Sequence, residues 1–235
     1  METGKVSIRP GVHHEASQWL GTGLLITGLD RMMGVRMNHR ATESTQEAQR
    51  LDGWSIRPLG PENQADFFRL HDGPACNGCY CMAWRVPTWK AWGERTPELN
   101  RTDRVELFRQ GIYDGVLLME GEEPIGWCQL LPVSQATKLQ KAVGEGRFAQ
   151  AMAISCFLMR PDRRGQGRGS RFLALVVDHC RHRGIGPLIG LPEKTGLDAT
   201  EIWTGTHGMF ERAGFTRQGN QEPAVYVLDP KPGSD

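Results

Sequence analysis

Met159-Arg160-Pro161-Asp162-Arg163-Arg164-Gly165-Gln166-Gly167-Arg168-Gly169-Ser170 joins an apolar run to an amphipathic one. Before it, Met152 to Met159 is an unbroken apolar run suited to a buried strand. After it, Ser170 to Arg183 carries apolar residues at helical spacing and stops at Gly184. Gly165, Gly167 and Gly169 therefore fall in a loop that opens a helix. Without β-carbons there, backbone N–H groups can close on an anion, and the partial positive charge of the helix N-terminus favours one. From Met159 to Gly184 seven arginines (Arg160, Arg163, Arg164, Arg168, Arg171, Arg181 and Arg183) stand against Asp162 and Asp178, an excess of five positive charges. The whole chain is nearly neutral, with 28 Lys and Arg against 27 Asp and Glu, so the basic character is local and a polyanion is expected here. Neither common nucleotide fingerprint fits: no Lys-Ser/Thr follows the glycines, and Ser170 stands where a dinucleotide loop would have its third glycine. A glycine-rich turn with a solvated basic face is the plainer alternative.

Working outward, Trp54 to Leu59 alternates like a strand, Asn63 to Leu70 reads as a short helix and Thr96 to Ile112 as a longer one. Gly115 to Met119 and Ile125 to Leu131, joined by a turn at Glu120 to Glu123, form an expected antiparallel hairpin. Leu188 to Leu191 is a further strand, Gly205 to Ala213 a helix closed by Gly214, and Ala224 to Leu228 a last strand. There is no internal repeat. The expectation is an α/β (α+β) fold with a mixed, mostly antiparallel central sheet flanked by helices.

Arg164-x-x-Gly167-x-Gly169, after an apolar strand and at the head of an amphipathic helix, resembles the acyl-CoA pyrophosphate loop of the GNAT superfamily of N-acyltransferases. Met209-Phe210-Glu211-Arg212-Ala213-Gly214-Phe215 resembles the end of that superfamily's late helix. The two motifs together are far more specific than either alone, and the resemblance spans roughly residues 54–229. It implies that acetyl-CoA is the acyl donor and an amine the acceptor, with direct transfer in a ternary complex. It implies further that the pantetheine arm pairs with the strand edge at Phe157, Leu158 and Met159. The loop Arg164, Gly165, Gln166, Gly167, Arg168, Gly169 and Ser170 would hold the pyrophosphate. The backbone N–H near Phe157 would face the thioester oxygen as charge develops.

The chain departs from better-known members of the superfamily. Phe210 stands where many carry a proton-donating tyrosine, Ala153 where some carry a catalytic glutamate, and Trp203 near a frequent asparagine. Ser155, Cys156 and His207 are the nearby groups able to relay protons, and the sequence names no catalytic base. A catalytically silent CoA-binding or regulatory module is the alternative function.

The second unusual stretch is His71-Asp72-Gly73-Pro74-Ala75-Cys76-Asn77-Gly78-Cys79-Tyr80-Cys81-Met82-Ala83-Trp84-Arg85. Four His and Cys residues able to bind zinc lie within it, His71, Cys76, Cys79 and Cys81. Structural zinc sites usually draw paired ligands from separated segments, however, and Cys79-x-Cys81 is tight, so no metal is expected. A thiol nucleophile at Cys81 stays open. The Cys-x-Cys-Met-x-Trp-Arg pattern resembles an uncharacterised GNAT subgroup, in which this region would line the acceptor cleft. Trp84, Trp89 and Trp92 are read either as an aromatic wall for an acceptor with an apolar body or as core.

Hydrophobic residues at 39% and charged ones at 23% exclude a disordered or collagen-like chain. No apolar run approaches the roughly 18 residues of a membrane-spanning helix. The N-terminus lacks a secretory pattern, and six cysteines read as reduced thiols of a cytoplasmic protein with neither nucleic-acid nor membrane partners. Residues 1–50 read as an N-terminal extension ahead of a domain at 52–235. Gly21-Thr22-Gly23 and Gly28 within that extension are turns rather than a nucleotide loop, and Met37 is an alternative start. The sequence leaves a homodimer open.

Overall fold

The computed structural model describes residues 53–74, 76–193, 202–220 and 222–229. The expectations for 1–50, including the glycines at 21, 23 and 28, lie outside them.

The described strands are β1 (Trp54–Pro58), β2 (Gly115–Glu120), β3 (Glu123–Pro132), β4 (Met152–Met159), β5 (Leu188–Gly190), β6 (Thr216–Arg217) and β7 (Tyr226–Leu228). They form one sheet in the order β1-β2-β3-β4-β5-β7-β6, antiparallel except where β4 pairs with β5. The expected mixed, mostly antiparallel sheet is what the chain forms. The helices are α1 (Gln64–His71), α2 (Trp89–Gly93), α3 (Pro97–Arg109), α4 (Thr137–Val143), α5 (Arg168–His182) and α6 (His207–Arg212). Short α2 and α4 and the two-residue β6 escape a periodicity reading because each is too brief to show a full pattern.

Side-chain alternation along β2 divides the core. Val116 and Leu118 face one side with Phe172, Leu173 and Val176 of α5 and Phe210 of α6. Leu117 and Met119 face the other with Phe67 and Leu70 of α1 and Phe108 of α3. Both sides of the strand are buried, so its sequence is continuously apolar instead of alternating. A third cluster joins Leu139 and Val143 of α4 to Leu131, Ala153 and Ile189. On α5 the buried residues Phe172, Leu173, Val176, Val177 and Cys180 follow the helical period. The helix is seated against the sheet along that stripe.

The pairing of β4 sets up the site. It follows β3 along its length, but a bulge places Ser155 as an extra residue between Ile154 and Cys156. On its other side it pairs with β5 only from Met152 to Ile154. Beyond Ile154 the edge of β4 has no partner strand among the described residues.

Candidate functional site

A cavity of about 660 Å³ opens where β4 and β5 part. At one end it is lined by Phe157, Leu158 and Met159 of β4, by Arg164, Gly165, Gly167, Arg168, Gly169 and Ser170, and by Met209 and Arg212 of α6. At the other end it is lined by His71, Cys76, Asn77, Cys79, Cys81, Ala83, Trp84, Trp92 and Cys156, with Gln129 and Trp203. Two segments singled out separately in the sequence thus meet in one space. Gln166 is exposed in the loop and is not on the wall.

The loop end is built by backbone. Gly165, Gln166 and Gly167 stand at φ 83°, 53° and 75°, a run of left-handed residues that glycine adopts without penalty and Gln166 does not. Gly167 is the N-cap of α5, and no side chain caps the helix there. A β-carbon at Gly165 or Gly167 would meet nothing within 4 Å, while one at Gly169 would press on the Met209 sulfur at 3.3 Å. The glycines therefore leave open space on the cavity side, and the first turn of a 15-residue helix faces it. Arg212 donates to the Ser170 hydroxyl at 3.0 Å, and Arg164 Nε donates to the Met159 carbonyl at 2.8 Å.

The arginine excess is smaller in space than in sequence. Arg160 pairs with Glu123 and Asp162, and Arg163 pairs with Glu120 and Asp162. Arg181 pairs with Asp178. The β2–β3 hairpin supplies Glu120 and Glu123 from some forty residues upstream. The arginines on the cavity wall are Arg164, Arg168 and Arg212.

The edge of β4 is engaged by two tryptophans. The Trp84 indole N–H donates to the Ser155 carbonyl at 2.9 Å, and the Phe157 N–H donates to the Trp203 carbonyl at 2.7 Å. Their rings lie 6.1 Å apart at 37°. Of the expected aromatic wall, Trp84 and Trp92 line the cavity and Trp89 does not. Trp89 is 50% exposed, under the Lys138 ammonium. Trp203, singled out only as a departure from a motif, completes the wall because the chain entering α6 carries it across β4.

The floor is a buried polar and sulfur cluster. The fully buried Arg104 donates to the carbonyls of Tyr80 (3.0 Å) and Cys81 (3.2 Å) and to Asp114 Oδ1 (2.5 Å). Asp114 Oδ2 accepts from Arg85 (2.8 Å) and from the Gln129 amide (2.6 Å), and Gln129 Oε1 accepts the Ser155 hydroxyl (2.9 Å). This network holds Tyr80 and Cys81 at φ 43° and 54°. Cys81 Sγ lies 3.5 Å from His71 Nε2 and accepts the Trp127 indole N–H at 3.0 Å. Cys76 and Cys79 have sulfurs 3.4 Å apart. Burial pushes the Cys81 thiol well above its ordinary range, and burial lowers the His71 imidazole to about 3, Arg104 adding to the effect. Cys76 is raised chiefly by its hydrogen bond to Cys79. The thiols and the imidazole on the cavity wall are therefore uncharged at neutral pH. All six cysteines are free thiols. Among the described residues no group of three or more His, Cys, Asp or Glu is arranged to hold a metal ion.

Of the three proton relays considered from sequence, Cys156 alone lies on the cavity wall. Ser155 is buried with its proton on Gln129, and His207 pairs with the Tyr226 hydroxyl at 3.2 Å. Phe210 and Ala153 are core residues. Glu193 carried no motif. It lies just past β5, its amide donating to the Gly205 carbonyl at 3.0 Å and its carboxylate accepting the Thr204 hydroxyl at 3.2 Å. Partial burial raises its pKa.

The family model for the GNAT acetyltransferases matches residues 79–215, more than half of the sequence. The chain belongs to the GNAT acetyltransferase family. Among solved structures, this GNAT chain is similar to an acetyltransferase from Thermus thermophilus, with 19% identity over 74% of this chain and 96% of that one and a TM-score of 0.42. An N-acetyltransferase from Staphylococcus aureus matches at 15% identity, over 76% and 99%, with a TM-score of 0.44. A GNAT family acetyltransferase from Brucella melitensis, solved in complex with acetyl-CoA, matches at 11% over 75% and 88%, with a TM-score of 0.42. A comparison with curated proteins finds no match. Among the described residues of this GNAT protein no helix is long and apolar enough to cross a membrane.

Proposed function

We propose that the protein transfers an acetyl group from acetyl-CoA directly to the nitrogen of a primary amine, with residues 52–235 as the catalytic unit. The observation that carries this reading is the single cavity joining the glycine loop, the edge of β4 that no described strand covers and the tryptophan and cysteine end. Both substrates can meet in it without a carrier step.

The residues fit the donor in three ways. Gly165 and Gly167 leave room for phosphates against backbone N–H groups, and Arg164, Arg168 and Arg212 supply positive charge at the same end. Phe157, Leu158 and Met159 offer a strand edge to the pantetheine amides. The Phe157 N–H is the donor for the acyl oxygen, and the Trp203 carbonyl must first give it up. Direct transfer is favoured over an acyl-cysteine relay because Cys81, the thiol considered for that role, is held protonated by burial and is a weak nucleophile.

Acetyl-CoA at one hundred times its dissociation constant should stabilise the protein by about 2.7 kcal/mol. Gly169→Glu should remove that stabilisation, because it adds bulk and negative charge beside Met209 at the cavity. Release of CoA thiol with an amine panel separates an enzyme from a module that binds and does nothing. An unchanged melting curve in acetyl-CoA would count against the whole reading.

A further inference from the structure

We infer that the acceptor is an amine borne on a flat, apolar, aromatic body that carries no charge besides the amine itself. The inference rests on the acetyl-transfer reading and deepens it. Trp84, Trp92 and Trp203 line the cavity, with Trp84 and Trp203 fixed on β4 at Ser155 and Phe157. Trp84 is held rigidly: its N–H is fixed on the Ser155 carbonyl, its ring packs edge-on against Trp89 at 5.1 Å, and it is 7% exposed. Trp84 thus braces the wall, and the half-buried Trp92 and Trp203 present the indole surface to a ligand at little cost in conformational entropy.

The thiols, imidazole and amide that share this cavity wall with the indoles are neutral. The Cys76 and Cys79 thiols are both raised, and the buried His71 imidazole is unprotonated at neutral pH. The Gln129 amide is spent on Asp114, on the Cys81 carbonyl and on the Ser155 hydroxyl. The charged side chains among the described lining residues are Arg164, Arg168 and Arg212, all at the donor end. An acidic acceptor would be drawn there into competition with the donor phosphates. A polycation would have to lose its hydration with no carboxylate among the described lining residues to replace it.

The reaction balances without a net proton from the protein. The unprotonated amine forms the C–N bond to the acyl carbon, the C–S bond breaks, and one N–H proton ends on the departing sulfur to give the amide and CoA thiol.

The test is thiol release with acetyl-CoA and a panel of 2-phenylethylamine, tryptamine, lysine, spermidine and glutamate, together with Trp92→Leu. The two aromatic amines should have kcat/KM at least tenfold above the other three. Trp92→Leu should raise KM for tryptamine about tenfold while the melting shift in acetyl-CoA stays as in wild type. Preference for lysine, spermidine or glutamate overturns the inference, as does an unaltered KM in the variant. Failure of every aromatic amine while acetyl-CoA still stabilises the protein overturns it alone. Absence of any acetyl-CoA shift takes down the underlying reading as well.

Discussion

Two left-handed turns face the same cavity and are held in opposite ways. At Gly165-Gln166-Gly167 glycines supply two of the three positive φ angles, the surroundings are open, and nearby charges meet in exposed ion pairs. At Tyr80-Cys81 neither residue is glycine, and the strain is held by a buried arginine bound to both carbonyls and anchored on Asp114. The first turn is inexpensive and leaves its amides available to a ligand. The second costs of order 1–3 kcal/mol per residue and persists because the packing over-determines it. One end of the site is suited to being organised by what binds, whereas the other is a rigid floor against which a second molecule is placed.

The strongest attempt to break this contrast is Asp114→Ala. It strips Arg104, Arg85 and Gln129 of a shared acceptor and leaves buried positive charge, so denaturant unfolding should show a loss of about 3–5 kcal/mol. A loss near zero would mean that the floor is not what fixes the strained turn. His71 gives a pH test of the same region. Its imidazole takes a proton below about 6.5 in the unfolded chain but stays neutral down to about 3 when folded. Between those values the unfolded state binds more protons, so stability falls as pH falls, by roughly 1 kcal/mol per pH unit. Above about 6.5 the group adds no pH dependence. Unfolding curves at several pH values should be shallower in their acid dependence for His71→Gln, and an unaltered slope would show that the ring is not shielded.

At the glycine loop the expected effects on stability are smaller. Gly167→Ala meets no neighbour but forces a β-carbon into the left-handed region, for about 1–2 kcal/mol of stability. Its larger consequence should be a weakened response to acetyl-CoA in the same thermal measurement, and a full response would detach the loop from the donor. Arg160→Ala removes exposed pairs with Glu123 and Asp162 and should leave the unfolding midpoint unchanged. A clear drop there would make the loop end as tightly built as the floor.

Much of the loop end was legible in the sequence, because a strand, three alternating glycines and an amphipathic stripe are local patterns with local causes. The central hairpin was equally readable from its two apolar runs and its turn. The wall was not. Trp89 and Trp203 exchange roles because short α2 turns the first toward Lys138, and the segment before α6 brings the second across β4. Glu193 has no signal at all, since its pKa is set by burial beside residues eleven and twelve positions away.

The order of strand, loop and helix and the backbone freedom at 165–169 follow from residues read along the chain, because glycine positions and apolar periodicity act through neighbours. Which arginine pairs with Glu120, which indoles line the cavity and what clamps Tyr80 and Cys81 are set by the three-dimensional fold. Those outcomes depend on Glu120, Trp203 and Asp114 arriving from distant strands and loops, and electrostatics and packing respond to distance in space, which one-dimensional spacing does not encode.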